Sequence, residues 1–282
     1  MQSLFSMGTY ATSTFFVAVM VYNLGLMVGL GSKEHSPRAF SLSIGMLATW
    51  LLCGGFSYSF AGLPPVGTSY FGMTNMEWAA FFIRGCYLFG TLLGLSVFYF
   101  SLTYLNINKP SFLIRELFFL SSILVIFLYY IKDIFTIFGF GALVSEHTII
   151  ADAFINANGY LGWHFGSLYI LFDVIFFSLF SFTLATLWQR YKQQIDPALQ
   201  KQALAMFLVI AVGFYPGAIF NTIFPAVGIF GLFWVGFMSS FGWVGIMAYS
   251  ILKQNQMNVM MVTNELIVVA MILLMFIGFF AV

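Results

Sequence analysis

The chain is dominated by long apolar runs almost empty of charge, each about twenty residues or more and each closed by a short polar break. They recur from one end of the sequence to the other, and that recurrence leaves little choice of architecture. A helix satisfies its backbone hydrogen bonds internally and crosses the hydrocarbon core of a bilayer in about twenty residues, whereas a membrane barrel shows stretches of about ten residues with alternating polarity. With 61% of 282 residues hydrophobic and 7% charged, at a mean hydropathy of +0.98, the chain also lacks the polar surface of a water-soluble globule of this length. The expected fold is all-α, a polytopic transmembrane helix bundle.

Eight runs are expected to span, at roughly 9–31, 39–62, 77–105, 112–138, 164–189, 202–223, 227–252 and 262–282. The first has neither a basic start nor a small-residue cleavage site, so it is expected to stay as a span. Cytoplasmic loops collect Lys and Arg. Here Lys33 and Arg38 fall in the first break, Lys109 and Arg115 at the third, Arg190, Lys192 and Lys201 at the fifth and Lys253 in the seventh, while the second, fourth and sixth have none. The expected topology is multi-pass with the N-terminus outside. The longest external break, after the fourth run, carries Glu146 and Asp152. Its stretch "VSEHTIIADAFINA" has partly helical apolar spacing, so a plain connection, a lid and an interfacial helix all stay open.

A charge inside a span is costly and marks either a function or a buried pair. Arg84 in the third run and Asp173 in the fifth qualify. Taken as helical, both lie about 12–14 Å below the outer surface. This predicts an Arg84–Asp173 pair facing the interior, with Tyr87, Trp163, His164 and Tyr169 around it. Two readings are open for it: an ion pair locking two spans, or a ligand-binding or proton-sensing site. Asn221, near the outer end of the sixth run, can hydrogen-bond across helices and joins the candidate ligand site. Pro216 should kink the same run and could act as a hinge. The pairs Gly25/Gly29, Gly90/Gly94 and Gly213/Gly217 allow close helix approach, most simply within the chain.

Much chemistry is disfavoured. Three histidines and two cysteines are scattered without paired spacing, so neither a metal cluster, a haem nor a disulfide framework is expected. There is no nucleophile elbow, Walker loop or kinase signature, and the seventh run has no lysine for a Schiff base. A net charge of +1 gives nucleic acid nothing to bind. No catalytic residue and no cofactor are expected.

From Leu168 onward the punctuation follows a pattern: a basic loop at Trp188–Lys192, Lys201–Gln202 opening the next helix, Asn221 with Phe224–Pro225, Gly228–Ile229 with Trp234, and "AYSI" at Ala248–Ile251. The chain resembles the N-terminal seven-helix membrane region of bacterial sensor histidine kinases, and "SPRAFSLSIGMLATW" and "FFIRGCYLFGTLLGLSVFYFSLTYL" are compatible with that family's second and third helices. The resemblance implies a sensory membrane domain over residues 1–254 in a bacterial inner membrane, with 255–282 as a short cytoplasmic strip and an eighth helix. Two-component signal transduction, a homodimer or other membrane protein partners, and a small-molecule or lipid ligand follow from it. The family's basic coupling strip is here "LKQNQMNV", with Lys253 its one charge and Asn258 in place of an acid. Lys253 and Asn258, with Pro216, are therefore the expected coupling residues. As given, output would pass to partners in the membrane or to sequence beyond Val282. The alternative is an accessory subunit of a larger membrane complex. A transporter or channel is less favoured, because Pro216 is the one strong internal breaker and the two halves share no alignable repeat.

Overall fold

The computed structural model describes residues 2–30, 35–63, 73–104, 120–124, 130, 148–232 and 236. Four helices among them are long and apolar enough to cross a membrane: α1 (Gln2–Leu30), α2 (His35–Ala61), α3 (Asn75–Thr103) and α4 (Tyr169–Gln193). A fifth, α5 (Pro197–Ala218), carries a shorter apolar stretch and passes without a break into a π-helical turn, Ile219–Ile223, and a last α turn, Phe224–Ala226. A mostly helical membrane bundle is thus present; α2 and α3 begin and end within about four residues of the expected runs, and α1 ends where expected but begins earlier, at Gln2. The fourth run is described only at 120–124 and 130, which are helical, and the seventh only at 227–232 and 236. The eighth run and the strip with Lys253 and Asn258 lie outside the described residues.

Local chemistry explains the helix ends. "TNME" before α3 forms a capping box, in which Glu77 N–H donates to Thr74 Oγ1 at 3.3 Å and Thr74 N–H donates to Glu77 Oε2 at 2.6 Å. Arg190 and Lys192 occupy the last turn of α4, where the helix dipole favours cations, and the Lys192 ammonium lies 5.4 Å from the Trp188 ring. Pro197 opens α5, a position where its missing N–H costs nothing.

The third helix is the central pillar: 78% of its apolar stretch is buried within the molecule, against 28% for α4. It packs on α2 along one side and on α4 and the segment before it along the other. Small residues set the spacing. A Cβ on Gly25 would lie 2.7 Å from Ile44 Cγ2, and Ser41 Oγ donates to the Gly25 carbonyl at 2.7 Å, tying α1 to α2. Gly90 faces Phe176 and Gly94 faces Phe180, so this glycine pair seats α4 on α3 within the chain. With Tyr87 against Phe172, the register 87–172, 90–176, 94–180 shows that the two helices run parallel.

The fold is not all helical. Between the fourth run and α4, β1 (Ile150–Ile155) pairs antiparallel with β2 (Leu161–Phe165), replacing the interfacial helix that the apolar spacing allowed. The turn is built by Asn156, whose Oδ1 accepts from Asn158 N–H at 3.0 Å and Tyr160 N–H at 2.9 Å, and by Gly159 at φ 78°. A bend followed by a left-handed glycine is a common hairpin closure. At the base, Gly166 N–H donates to Ile149 O at 2.8 Å and Leu168 N–H to Thr148 O at 3.1 Å. Helix α4 therefore begins at Tyr169 rather than near 164, and Trp163 and His164 belong to a strand.

The hairpin is not a surface ornament. Ile150, Leu161 and Trp163 are buried, β1 packs on α3, and Phe230 closes over Trp163 and Phe154 at ring separations of 5.0 and 5.8 Å. Trp163 reaches Tyr87, which lies twelve residues past Asn75 and hence about 18 Å along α3. The inward side of the hairpin, with Ile150, Leu161 and Trp163, is covered by protein, while Ala151, Asp152, Ile155 and His164 stay exposed.

Candidate functional site

Tyr87 stands where hairpin, pillar and α5 meet. The Trp163 indole N–H donates to the Tyr87 hydroxyl at 3.2 Å, and that hydroxyl donates to the backbone carbonyl of Asn221 at 3.2 Å. The carbonyl is open to it for a covalent reason: in an α-helix its partner would be the N–H four residues on, and residue 225 is proline. The next carbonyl, Thr222, accepts from the Tyr169 hydroxyl at 2.9 Å. Around these bonds Trp163, Phe165, Tyr169 and Phe172 meet the Tyr87 ring edge to face, at 4.9 to 6.3 Å. Four expected site residues, Tyr87, Trp163, Tyr169 and Asn221, are thus brought together from four elements.

Arg84 is buried, at 4% exposure, and its Nη1 donates to the Ile150 carbonyl at the hairpin base at 3.3 Å. The expected Arg84–Asp173 ion pair is not formed among the described residues. The register gives the reason: Asp173 is level with Tyr87, Arg84 lies nearly a turn nearer the helix start, and the Ile150 carbonyl takes the guanidinium there. Asp173 instead lies beside Tyr169, its neighbour four residues back on the same face of α4. Its Oδ1 is buried and without a hydrogen-bond partner among the described residues, as are Asn221 Oδ1 and Thr148 Oγ1. The Asn221 amide fills the space where Gly236 has no side chain.

His164 leaves the cluster by strand alternation, since Trp163 points inward and its neighbour must point out. Its Nδ1 lies 2.6 Å from Asp152 Oδ1, its ring stacks on Phe154 at 4.5 Å, and the two polar side chains are 66% and 65% exposed. An exposed pair of this kind contributes at most about 1 kcal/mol. Pro216 lies inside α5, three residues before the π turn begins. Lys253 and Asn258 are outside the described residues.

Sequence reading passes over Ile150, Thr148, Thr222 and Phe230. Thr222 has a readable signal, the proline three residues after it, which disturbs the hydrogen bonding of the turn before it. Among the described residues no three His, Cys, Asp or Glu side chains converge as metal ligands, and Cys53 and Cys86 are buried thiols. What the arrangement offers is a directed line of donors and acceptors running from the hairpin through the pillar to the end of α5. Compared with protein-family models and with curated proteins, the chain finds no match.

Proposed function

We propose that this chain is a non-catalytic membrane sensor or receptor-like module, in which the hairpin receives a stimulus and the Tyr87 relay passes its position to the π turn. The observation that carries this reading is the line Trp163 N–H to Tyr87 O–H to Asn221 C=O, which makes the seat of the hairpin and the shape of α5's end depend on one hydroxyl. The resemblance to histidine-kinase membrane regions and the basic residues at the far end of α4 and α5 support the same orientation, with the hairpin outside and the N-terminus on its side. A small molecule or lipid arriving at the hairpin would act by moving it. Output passes to a second copy, to another membrane protein or to sequence beyond Val282.

The test is a thermal-shift screen of the detergent-solubilised chain against small-molecule and lipid classes, run beside Tyr87→Phe and Arg84→Ala. A class that raises the melting temperature of the wild type and not of the variants supports the reading. If every class shifts all three proteins alike, or none shifts any, the reading fails. The accessory-subunit alternative draws on the outward face of α4, where Ile170, Leu171, Val174 and Phe182 are exposed. Purification from mild detergent as a lone monomer would remove it.

A further inference from the structure

Asp173 is the half-buried charge that the relay leaves unused. It sits on α4 one turn below Tyr169, half-covered, with Oδ1 buried and no hydrogen-bond partner for that atom among the described residues. The groups that face this region are Tyr169 from its own helix, Tyr87 from α3, and Asn221 and Thr222 from the π turn. Arg84, the nearest cation of α3, is turned toward Ile150, and the His164–Asp152 pair lies on the outer face of the hairpin. A carboxylate with one oxygen buried and no cation beside it among the described residues is disfavoured as the anion, and taking up a proton removes that cost.

Tyr169 gives that proton something to control. A phenol has one hydrogen to donate; the Thr222 carbonyl accepts it at 2.9 Å, and the Asp173 carboxyl lies within hydrogen-bond reach of the same hydroxyl. An ionised carboxylate beside it would compete for the same hydrogen, and a charge-assisted bond is roughly twice as strong as a neutral one. We propose that Asp173 is a protonation site that switches Tyr169 between the π turn and itself. With a proton on Asp173, the Tyr169 O–H bonds Thr222 and holds the π turn against α4. When that proton leaves to solvent, Tyr169 keeps its own hydrogen but turns it to the Asp173 oxygen, and the Thr222 carbonyl is released. The proposal rests on the sensor reading only in naming the proton as a stimulus.

The experiment is pH-difference infrared spectroscopy of the full chain in liposomes. Wild type should show the carbonyl stretch of a protonated carboxylic acid appearing as pH falls, together with a change in the tyrosine C–O band. Asp173→Asn should lose both, Tyr169→Phe should lose only the tyrosine change, and Asp152→Asn should keep both. No carboxylic acid band in wild type, or one that survives in Asp173→Asn, overturns the assignment. A carboxyl band with no tyrosine change, or a tyrosine change that survives in Tyr169→Phe, overturns the switch. Because wild type and Tyr169→Phe can each overturn the switch on their own, poor folding of Asp173→Asn does not shelter the proposal. Ligand shifts that vanish in Tyr87→Phe are read separately, so this switch and the sensor reading can fail independently.

Discussion

One hydroxyl, that of Tyr87, closes two hydrogen bonds between segments far apart in sequence, and its removal should be felt as a buried loss. Tyr87→Phe keeps the ring and its edge-to-face neighbours but takes the donor from the Asn221 carbonyl. An abandoned buried acceptor costs about 1–3 kcal/mol. The same change at Tyr22, which is 52% exposed on α1, should stay within about 0.5 kcal/mol. Thermal unfolding in detergent compares the two, and equal effects would mean that Tyr87 serves only as a ring. The role assigned to Pro225 makes a sharper prediction. Pro225→Ala restores an N–H four residues beyond Asn221 and gives its carbonyl a helical partner. Tyr87→Phe should therefore cost less in the Pro225→Ala background than in wild type, with a coupling of about 0.5–3 kcal/mol in a double-mutant cycle.

The hairpin stands or falls on two glycines with different duties. Gly159 supplies a left-handed backbone at the tip, so Gly159→Ala should cost about 1–2 kcal/mol while leaving the strands docked. At Gly166 a Cβ would collide with the Thr148 main chain, which has no flexible tip to swing aside. Gly166→Ala should therefore open the base and expose the hairpin to limited proteolysis, whereas Gly159→Ala should not. The helices are legible in the sequence because length and apolarity alone specify a span, and the Gly90/Gly94 pair marks the face that α4 covers. The hairpin is legible in part: Asn158–Gly159 between two alternating runs is a turn signal. That signal is masked because "LGWHF" reads as continuous with the apolar run behind it, and residue-counting at helical rise then places Trp163 and His164 in a span. The same counting supplies the Arg84–Asp173 pairing, which the α3–α4 register and the Ile150 carbonyl undo. Of the candidate cluster, the aromatic members can be named from sequence. The carbonyls they bind cannot, because only the proline spacing hints at them.

For the molecule as a whole, the basic ends of α4 and α5 and the hairpin tip should lie on opposite sides of the membrane. Cys53 and Cys86 are buried, so single introduced thiols can report without interference. Asn158→Cys at the tip should react with an impermeant maleimide from outside intact cells, and Ile195→Cys, at an exposed position in the link after α4, only after the membrane is opened. The reverse pattern would invert the topology. The way the hairpin is seated also bears on how the chain is assembled. A two-stranded ribbon is marginal by itself in water, and its backbone is not tolerated in lipid, so its seat depends on the face of α3 that β1 packs against. The ribbon is therefore expected to settle late in assembly, once α3 is in place to receive it.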